Sequence, residues 1–179
     1  VLIPVRPVST DWNSSTAFDD SAWLYSTGSP GGIGYERASG YESFISLDLE
    51  ERMYTRNPTC YIRIPFTFSG ELVDLDSMIL KIRYDDGFIA YLNGNEVARR
   101  NIGRIITWNS SANAGHDDSE AVELETIDIS ISLGKLRQGR NLLAIHGLNS
   151  SAEDSDFLIS AELIAGRDNS DSSSLPGVN

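Results

Sequence analysis

The stretch 79-ILKIRYDDGFIAYLNGNEVARR-100 decides the fold class of this 179-residue chain. Apolar and polar residues alternate along it, and the dipeptides Asp86-Gly87 and Asn93-Gly94 interrupt the alternation. Asp-Gly and Asn-Gly between alternating runs favour tight turns with positive φ, whose twist matches that of the flanking strands. The stretch therefore predicts an antiparallel β-meander.

Alternation with a period of two residues extends the β prediction to most of the chain. Residues Tyr61–Phe68 predict a half-buried strand in which Pro65 marks an edge or a bulge. Residues Phe157–Ile164 alternate in the same way, and Val122–Ile129 predicts a further, irregular strand. The run Leu142–Leu148 is apolar almost throughout, which is typical of a central strand covered on both faces.

Helical signals are few. Asp48–Tyr54 predicts a short helix with Asp48 as its N-cap, and Leu133–Arg137 predicts one turn. Many short strands, with Gly, Ser and Asn between them, predict an all-β antiparallel β-sandwich of jelly-roll type with one or two short helical turns. The predicted core consists of inward-facing apolar residues: Ile62, Ile64, Phe66, Leu80, Ile82, Leu143, Ile145, Phe157 and Ile159.

The length suits one sandwich-sized domain, which we place at residues 1–165. Residues 166–179 are polar and Ser-rich, so we expect a flexible linker or tail there. The chain begins at Val1 without a signal-peptide pattern or a membrane-spanning apolar run, which leads us to expect a processed or excised piece of a larger protein. Cys60 is the only cysteine, so an intrachain disulfide is excluded.

The charge of the chain restricts its partners. Lys and Arg number 14 and Asp and Glu number 26, which gives a formal net charge of -12. Because nucleic-acid affinity comes largely from Lys and Arg that displace counterions, this balance argues against a nucleic-acid binder. It also argues against adhesion to anionic membranes. Neutral ligands and cations are the favoured partners.

Four segments carry a resemblance to a known family: TAFDDSAW at 16–23, GGIGYE at 31–36, RYDDGFIAYLNGNEVARRN at 83–101 and NLLAIHGLNSSAEDSDFLISAEL at 141–163. In this order they resemble the galactose-binding-like jelly-roll modules of large secreted bacterial proteins. FDDSAW and YLNGNEVA are also similar to the non-catalytic sandwich at the front of β-galactosidase-like glycoside hydrolases. The resemblance implies an extracellular or cell-surface carbohydrate-binding module that tethers a larger protein to a polysaccharide or glycan.

Catalytic motifs do not accompany these segments. The chain lacks a Gly-x-Ser-x-Gly elbow, a His-Glu-x-x-His helix and paired cysteines, and its only histidines are His116 and His146. Carboxylates are numerous, so a glycoside hydrolase or an esterase stays a remote alternative. We expect a module that is not an enzyme, with a structural or adhesive spacer without glycan affinity as the main alternative. His146 is expected to be a core histidine with one hydrogen-bonded nitrogen.

The segment Asp85-Asp86-Gly87 carries the sharpest cation hypothesis. It is similar to the Asp-Asp-Gly of yeast flocculin-type lectin domains, where paired carboxylates hold a calcium ion that binds sugar hydroxyls. The resemblance implies Asp85 and Asp86 as ligands of Ca²⁺, with a plain turn as the alternative. The acidic loops 116–120 and 153–156 are competing cation sites, each with a solvated loop as its alternative.

A structural calcium is a second expectation from the family. Galactose-binding-like modules often hold such an ion between the first strand region and the last strand. The resemblance therefore implies Asp19, Asp20 and Glu162 as further metal ligands. Calcium, structural or bridging the ligand, is the one cofactor we expect.

Sugar binding requires a flat aromatic ring against the apolar face of a pyranose, with polar side chains nearby. Trp108, followed by Asn109 in a polar loop, is one candidate. Tyr35 and Tyr41 in a Gly-rich region and Trp12 beside two polar residues are the others. For Trp108 both an exposed platform and a loop-packing anchor are open.

Overall fold

The computed structural model describes residues 1–167, which form a sandwich of two β-sheets. The strands are β1 Gly32–Glu36, β2 Ile45–Asp48, β3 Thr59–Phe68, β4 Ser77–Asp85, β5 Gly87–Leu92, β6 Asn95–Arg100, β7 Glu125–Asp128, β8 Gly139–Leu148 and β9 Asp156–Gly166. Two single-turn helices are α1 Glu50–Met53 and α2 Asp118–Ala121, and 3₁₀ turns occupy Thr10–Asn13, Glu42–Phe44, Leu72–Asp74 and Ser130–Lys135.

One sheet has five strands in the order β2-β1-β9-β4-β7, and the other has four in the order β3-β8-β5-β6. All strand pairings are antiparallel except that of β1 with β2. The all-β antiparallel sandwich with short helical turns is therefore confirmed. Within the described residues, no helix is both long enough and apolar enough to cross a membrane.

The predicted meander is correct only in its second half. β5 and β6 form a hairpin across Asn93-Gly94, whose φ values of 50° and 85° are both positive, as expected for a mirror-image turn. β4 pairs with β9 and β7, whereas β5 pairs with β8 in the other sheet. Asp85 and Asp86 therefore carry the chain from one sheet to the other. The Asp-Gly signal is local and does not report which sheet the next strand joins.

The core lies between the two sheets, where Leu80, Ile82, Leu143, Ile145 and Phe157 are buried. The predicted core is wrong at Ile64, which is 37% exposed, whereas Phe66 is partly buried and packs against the core. β3 is an edge strand, as Pro65 predicted: β8 is the only described strand that pairs with it, and Leu2 forms an isolated bridge with Tyr61 on its other side.

β8 is central and almost fully buried, as its apolar run predicted. The first residues of β7 and α1, in contrast, differ from the predictions. β7 begins only at Glu125, because α2 ends at Ala121 and residues 122–124 form the turn between the two elements. The predicted N-cap Asp48 is wrong, because α1 begins at Glu50 with Leu49 at the N-cap position; the Asp48 carboxylate still accepts the N–H of Glu50 at 2.8 Å.

The last described strand runs one residue past position 165, where the sequence predicted the boundary. β9 continues to Gly166, and Arg167 forms an ion pair with Asp74. The rest of the predicted linker, residues 168–179, lies outside the described residues.

Candidate metal centre

Three acidic segments that are far apart in sequence meet at one end of the five-stranded sheet. Asp85 ends β4, Asp118 begins α2 and Asp156 begins β9. β4 and β9 are antiparallel neighbours with Asp85 opposite Leu158, so the end of β4 lies beside the start of β9. One carboxylate oxygen from each aspartate lies within 4.8 Å of the other two. Residues 1–167 contain no other such group of three metal-ligating side chains.

The burial of the three aspartates differs. Asp85 is 2% exposed and Asp156 is 9% exposed, whereas Asp118 faces solvent. Asp85 Oδ2 has no hydrogen-bond partner, and the hydroxyl of the buried Tyr41 has none either. Buried polar atoms without partners are costly, so a bound cation, or a proton shared with a neighbouring group, would stabilise this cluster.

The electrostatics of the cluster disfavour three ionised carboxylates without a counterion. Burial, followed by the nearby carboxyls of Asp156 and Asp86, raises the pKa of Asp85 to about 10. Burial, together with the charge of Asp85, also raises the pKa of Tyr41. A cation would reverse the cost of ionising Asp85, because an opposite charge favours the deprotonated form.

The donor set fits a hard divalent cation. Ca²⁺ takes about 6 to 8 oxygen ligands, and carboxylates are its usual protein donors. Asp85, Asp118 and Asp156 would hold the ion, and the solvent-facing side near Asp118 leaves room for further oxygen ligands. The ion would supply a positive charge at which neutral hydroxyls bind.

Asp86 lies outside this cluster and serves a different purpose. Its Oδ1 accepts the N–H of His116 at 2.9 Å, and its Oδ2 accepts the N–H of Ser150 at 2.6 Å. Its backbone carbonyl accepts Asn101 Nδ2 at 2.9 Å. The predicted Asp85-Asp86 ligand pair is therefore divided: Asp85 belongs to the cluster that could hold a metal ion, and Asp86 anchors the loops that surround it.

The other predicted metal ligands are placed elsewhere. Asp20 forms an ion pair with Arg63 at 2.7 Å, and Asp19 is exposed and accepts the N–H of Ser21 at 3.1 Å. Glu162 is exposed on β9 opposite Lys81. These three carboxylates belong to no described cluster of metal-ligating groups.

Tyr35 and Tyr41 are not exposed platforms, since each is 1% exposed. Tyr35 lies in β1, and its hydroxyl donates to the carbonyl of Asp154 at 2.9 Å and accepts Asn149 Nδ2 at 3.1 Å. The Gly-rich region folds as a strand between β2 and β9 rather than as a surface loop, which turns its tyrosine inward.

Trp12 and Trp108 line one aromatic groove. Trp12 is 7% exposed, Trp108 is half-buried and Asn109 is exposed. The aromatic groove, which we define by its lining residues, consists of Pro7, Val8, Trp12, Tyr61, Tyr91, Ile106, Thr107, Trp108 and His146. Sequence analysis missed Tyr61 and Tyr91 as site residues. Their signal was alternation: Tyr61 lies on the face of β3 opposite Ile62.

No protein-family model matches this chain, and no curated protein matches it. Among solved structures, it resembles β-sandwich regions of an α-L-rhamnosidase from Streptomyces avermitilis in complex with L-rhamnose (22% identity, 60% of this chain, 8% of that chain, TM-score 0.36). It also resembles a calcium-binding mutant of Bacteroides uniformis β-glucuronidase 2 (17% identity, 88% of this chain, 16% of that chain, TM-score 0.47).

A third solved structure is the PA14 domain of the antifreeze protein MpAFP (14% identity, 65% of this chain, 45% of that chain, TM-score 0.32). The chain thus spans 8% to 45% of the length of these three proteins. With TM-scores from 0.32 to 0.47, these likenesses carry no information about function.

Proposed function

We propose that this chain is a non-catalytic carbohydrate-binding module whose binding of a glycan depends on a divalent cation, with calcium preferred. The observation that carries this proposal is the meeting of Asp85, Asp118 and Asp156, in which the buried Asp85 Oδ2 has no partner. We further propose that the module acts outside the cell as one domain of a larger protein.

The ligand class follows from charge and coordination. Three monodentate carboxylates fill only about half of the 6 to 8 positions of Ca²⁺, so water or ligand hydroxyls complete its shell. Vicinal hydroxyls of a sugar are neutral oxygen donors, and a net charge of -12 favours neutral ligands over anionic ones. An extracellular setting suits such a site, because calcium-binding modules of that compartment work at dissociation constants of about 10⁻⁴ to 10⁻³ M.

The test is binding to a panel of neutral and acidic polysaccharides, measured by isothermal titration calorimetry and by retention in affinity gels. Each measurement is made in saturating calcium and in excess chelator. We expect retention of at least one neutral polysaccharide with calcium and a marked loss in chelator. Asp85→Asn combined with Asp156→Asn should abolish the effect of calcium. Asp19→Asn and Glu162→Gln are matched controls, because both remove an exposed carboxylate outside the metal centre.

Two outcomes would overturn the proposal in different ways. Calcium binding without retention of any polysaccharide would favour the structural or adhesive spacer. Cleavage of a polysaccharide in the panel would show a hydrolase instead.

A further inference from the structure

The aromatic groove lies on the outer face of the four-stranded sheet and has a volume of about 380 Å³. Side chains alternate along β8, so Leu143 and Ile145 face the core between the sheets and His146 faces outward. Leu142 and Ala144 of the same outer face pack in a second hydrophobic cluster with Trp12 and Tyr61. The groove is therefore separate from the core and from the metal centre of the five-stranded sheet.

The aromatic rings of the groove hold one another in place. Trp12 contacts Tyr61 and Tyr91 edge to face, with centroid distances of 4.4 Å and 5.8 Å. Tyr61 stacks on His146 at 4.5 Å with 27° between the ring planes. Trp108 adds a half-buried ring from the loop after β6. Rings restrained in this way lose little conformational freedom when a ligand binds.

His146 adds a buried polar side chain to the lining of the groove. Its side chain is 2% exposed, and its Nε2 has no hydrogen-bond partner. Burial lowers the pKa of His146 to about 3, so the imidazole is neutral at pH 7. A neutral imidazole has one donor and one acceptor nitrogen. A hydroxyl can pair with Nε2 in either tautomer, because it both donates and accepts.

The lining favours an uncharged ring with hydroxyl groups. No Lys, Arg, Asp or Glu lines the groove, and the chain as a whole repels anions. Aromatic faces pack against the apolar face of a pyranose, and the volume lies within the range of about 300 to 1,000 Å³ usual for small-molecule sites. Phosphate-bearing ligands find no cation here.

We propose that the aromatic groove binds the ring of a neutral pyranose, with a sugar hydroxyl hydrogen-bonded to His146 Nε2, without the need for a cation. The inference rests on the proposed function for the class of ligand, and it adds a contact site apart from the metal centre. A glycan chain would then be held at two places on the module.

The test is tryptophan fluorescence of the whole chain, titrated with the methyl glycosides of glucose, galactose and mannose in saturating calcium and in chelator. Trp12 and Trp108 line the groove, so we expect a saturable change with at least one glycoside under both conditions. Trp108→Ala should remove most of the change. His146→Phe keeps a ring but loses the nitrogen, and should weaken binding about tenfold. Sodium glucuronate is the comparison probe for a charged sugar, and indole is the comparison probe for a flat ring without hydroxyl groups.

Melting curves show which variants are folded, and His146→Gln, which retains a hydrogen-bonding group, replaces His146→Phe if the latter does not fold. A response to indole without a response to any glycoside would overturn the sugar assignment. Polysaccharide binding that is unchanged by Trp108→Ala and His146→Phe would overturn the groove site and leave the proposed function standing. A fluorescence response to a glycoside that is lost in chelator would also overturn the proposed groove site, which needs no cation. If no glycan binds under any condition, both proposals fail.

Discussion

At the scale of single residues, Asp85 has an unusual consequence for stability. Its pKa is about 10 in the fold against an ordinary value of 3.8, so between these values the folded state binds one more proton than the unfolded state. The stability that this proton contributes is present at acid pH and is lost as pH rises toward 10. In chelator at pH 7, Asp85→Asn should therefore stabilise the protein, by up to about 4 kcal/mol.

Urea unfolding at several pH values measures this effect. The advantage of Asp85→Asn should shrink as pH falls toward about 4, where the unfolded carboxyl also becomes protonated. Asp86→Asn is the matched neighbour: it weakens the acceptor of two backbone N–H groups and should cost about 1 to 3 kcal/mol with or without calcium. An equal loss in both variants would contradict the different roles assigned to the two aspartates.

His146 gives a pH dependence of the opposite sign. Burial lowers its pKa to about 3 from 6.5, so the unfolded state binds more protons between these values. Stability is complete above pH 6.5 and falls as pH decreases toward 3. At pH 5 the loss from this residue is about 2 kcal/mol. His146→Gln should reduce the difference in unfolding free energy between pH 7 and pH 5 by that amount, and an unchanged difference would contradict it.

At the scale of secondary-structure elements, the β5–β6 hairpin depends on its turn. Gly94 has φ of 85°, and a Cβ atom there would lie 2.5 Å from Cβ of Ser14. Gly94→Ala should therefore cost about 1 to 3 kcal/mol, through an unfavourable φ and a steric clash. Gly134→Ala is the control, because a Cβ at Gly134 meets no atom within 4 Å. Chemical unfolding measures both, and equal effects would show that the turn geometry is not the cause.

The two glycine turns in residues 79–100 differ in how well the sequence predicts them. Asn93-Gly94 was predicted correctly because the turn and both of its strands are adjacent in sequence. The turn at Asp86-Gly87 was predicted wrongly, because β5 does not pair with β4 before it but with β6 and with β8, which lies more than fifty residues downstream. Period-two alternation predicts that a segment is a strand, but it carries no information about the strand beside it.

At the scale of the whole molecule, a cation at the metal centre would link β4, α2 and β9. A site with a dissociation constant of about 10⁻⁴ M, as in extracellular modules, would stabilise the fold by roughly 2.7 kcal/mol at about 10 mM calcium. For a domain of this size, the expected rise in melting temperature is about 5 to 10 °C. Scanning calorimetry measures it, and Asp85→Asn should abolish the rise.

Magnesium is the matched control ion, because it demands near-octahedral geometry and keeps its own waters. It should raise the melting temperature less than calcium does. Equal melting temperatures in saturating calcium and in chelator would contradict calcium binding at this site.

The sequence by itself determined the class of fold and most of its strands, since alternation, the Asn-Gly turn and the apolar run of β8 are properties of neighbouring residues. It also pointed to Asp85 and to the loops of Asp118 and Asp156, although as competing cation sites. Only the tertiary structure decided that these carboxylates form one cluster that could hold a metal ion, because the pairing of β4 with β9 brings distant segments together. The burial of Tyr35 and Tyr41 and the assembly of the aromatic groove were decided in the same way, by contacts between residues that no local pattern connects.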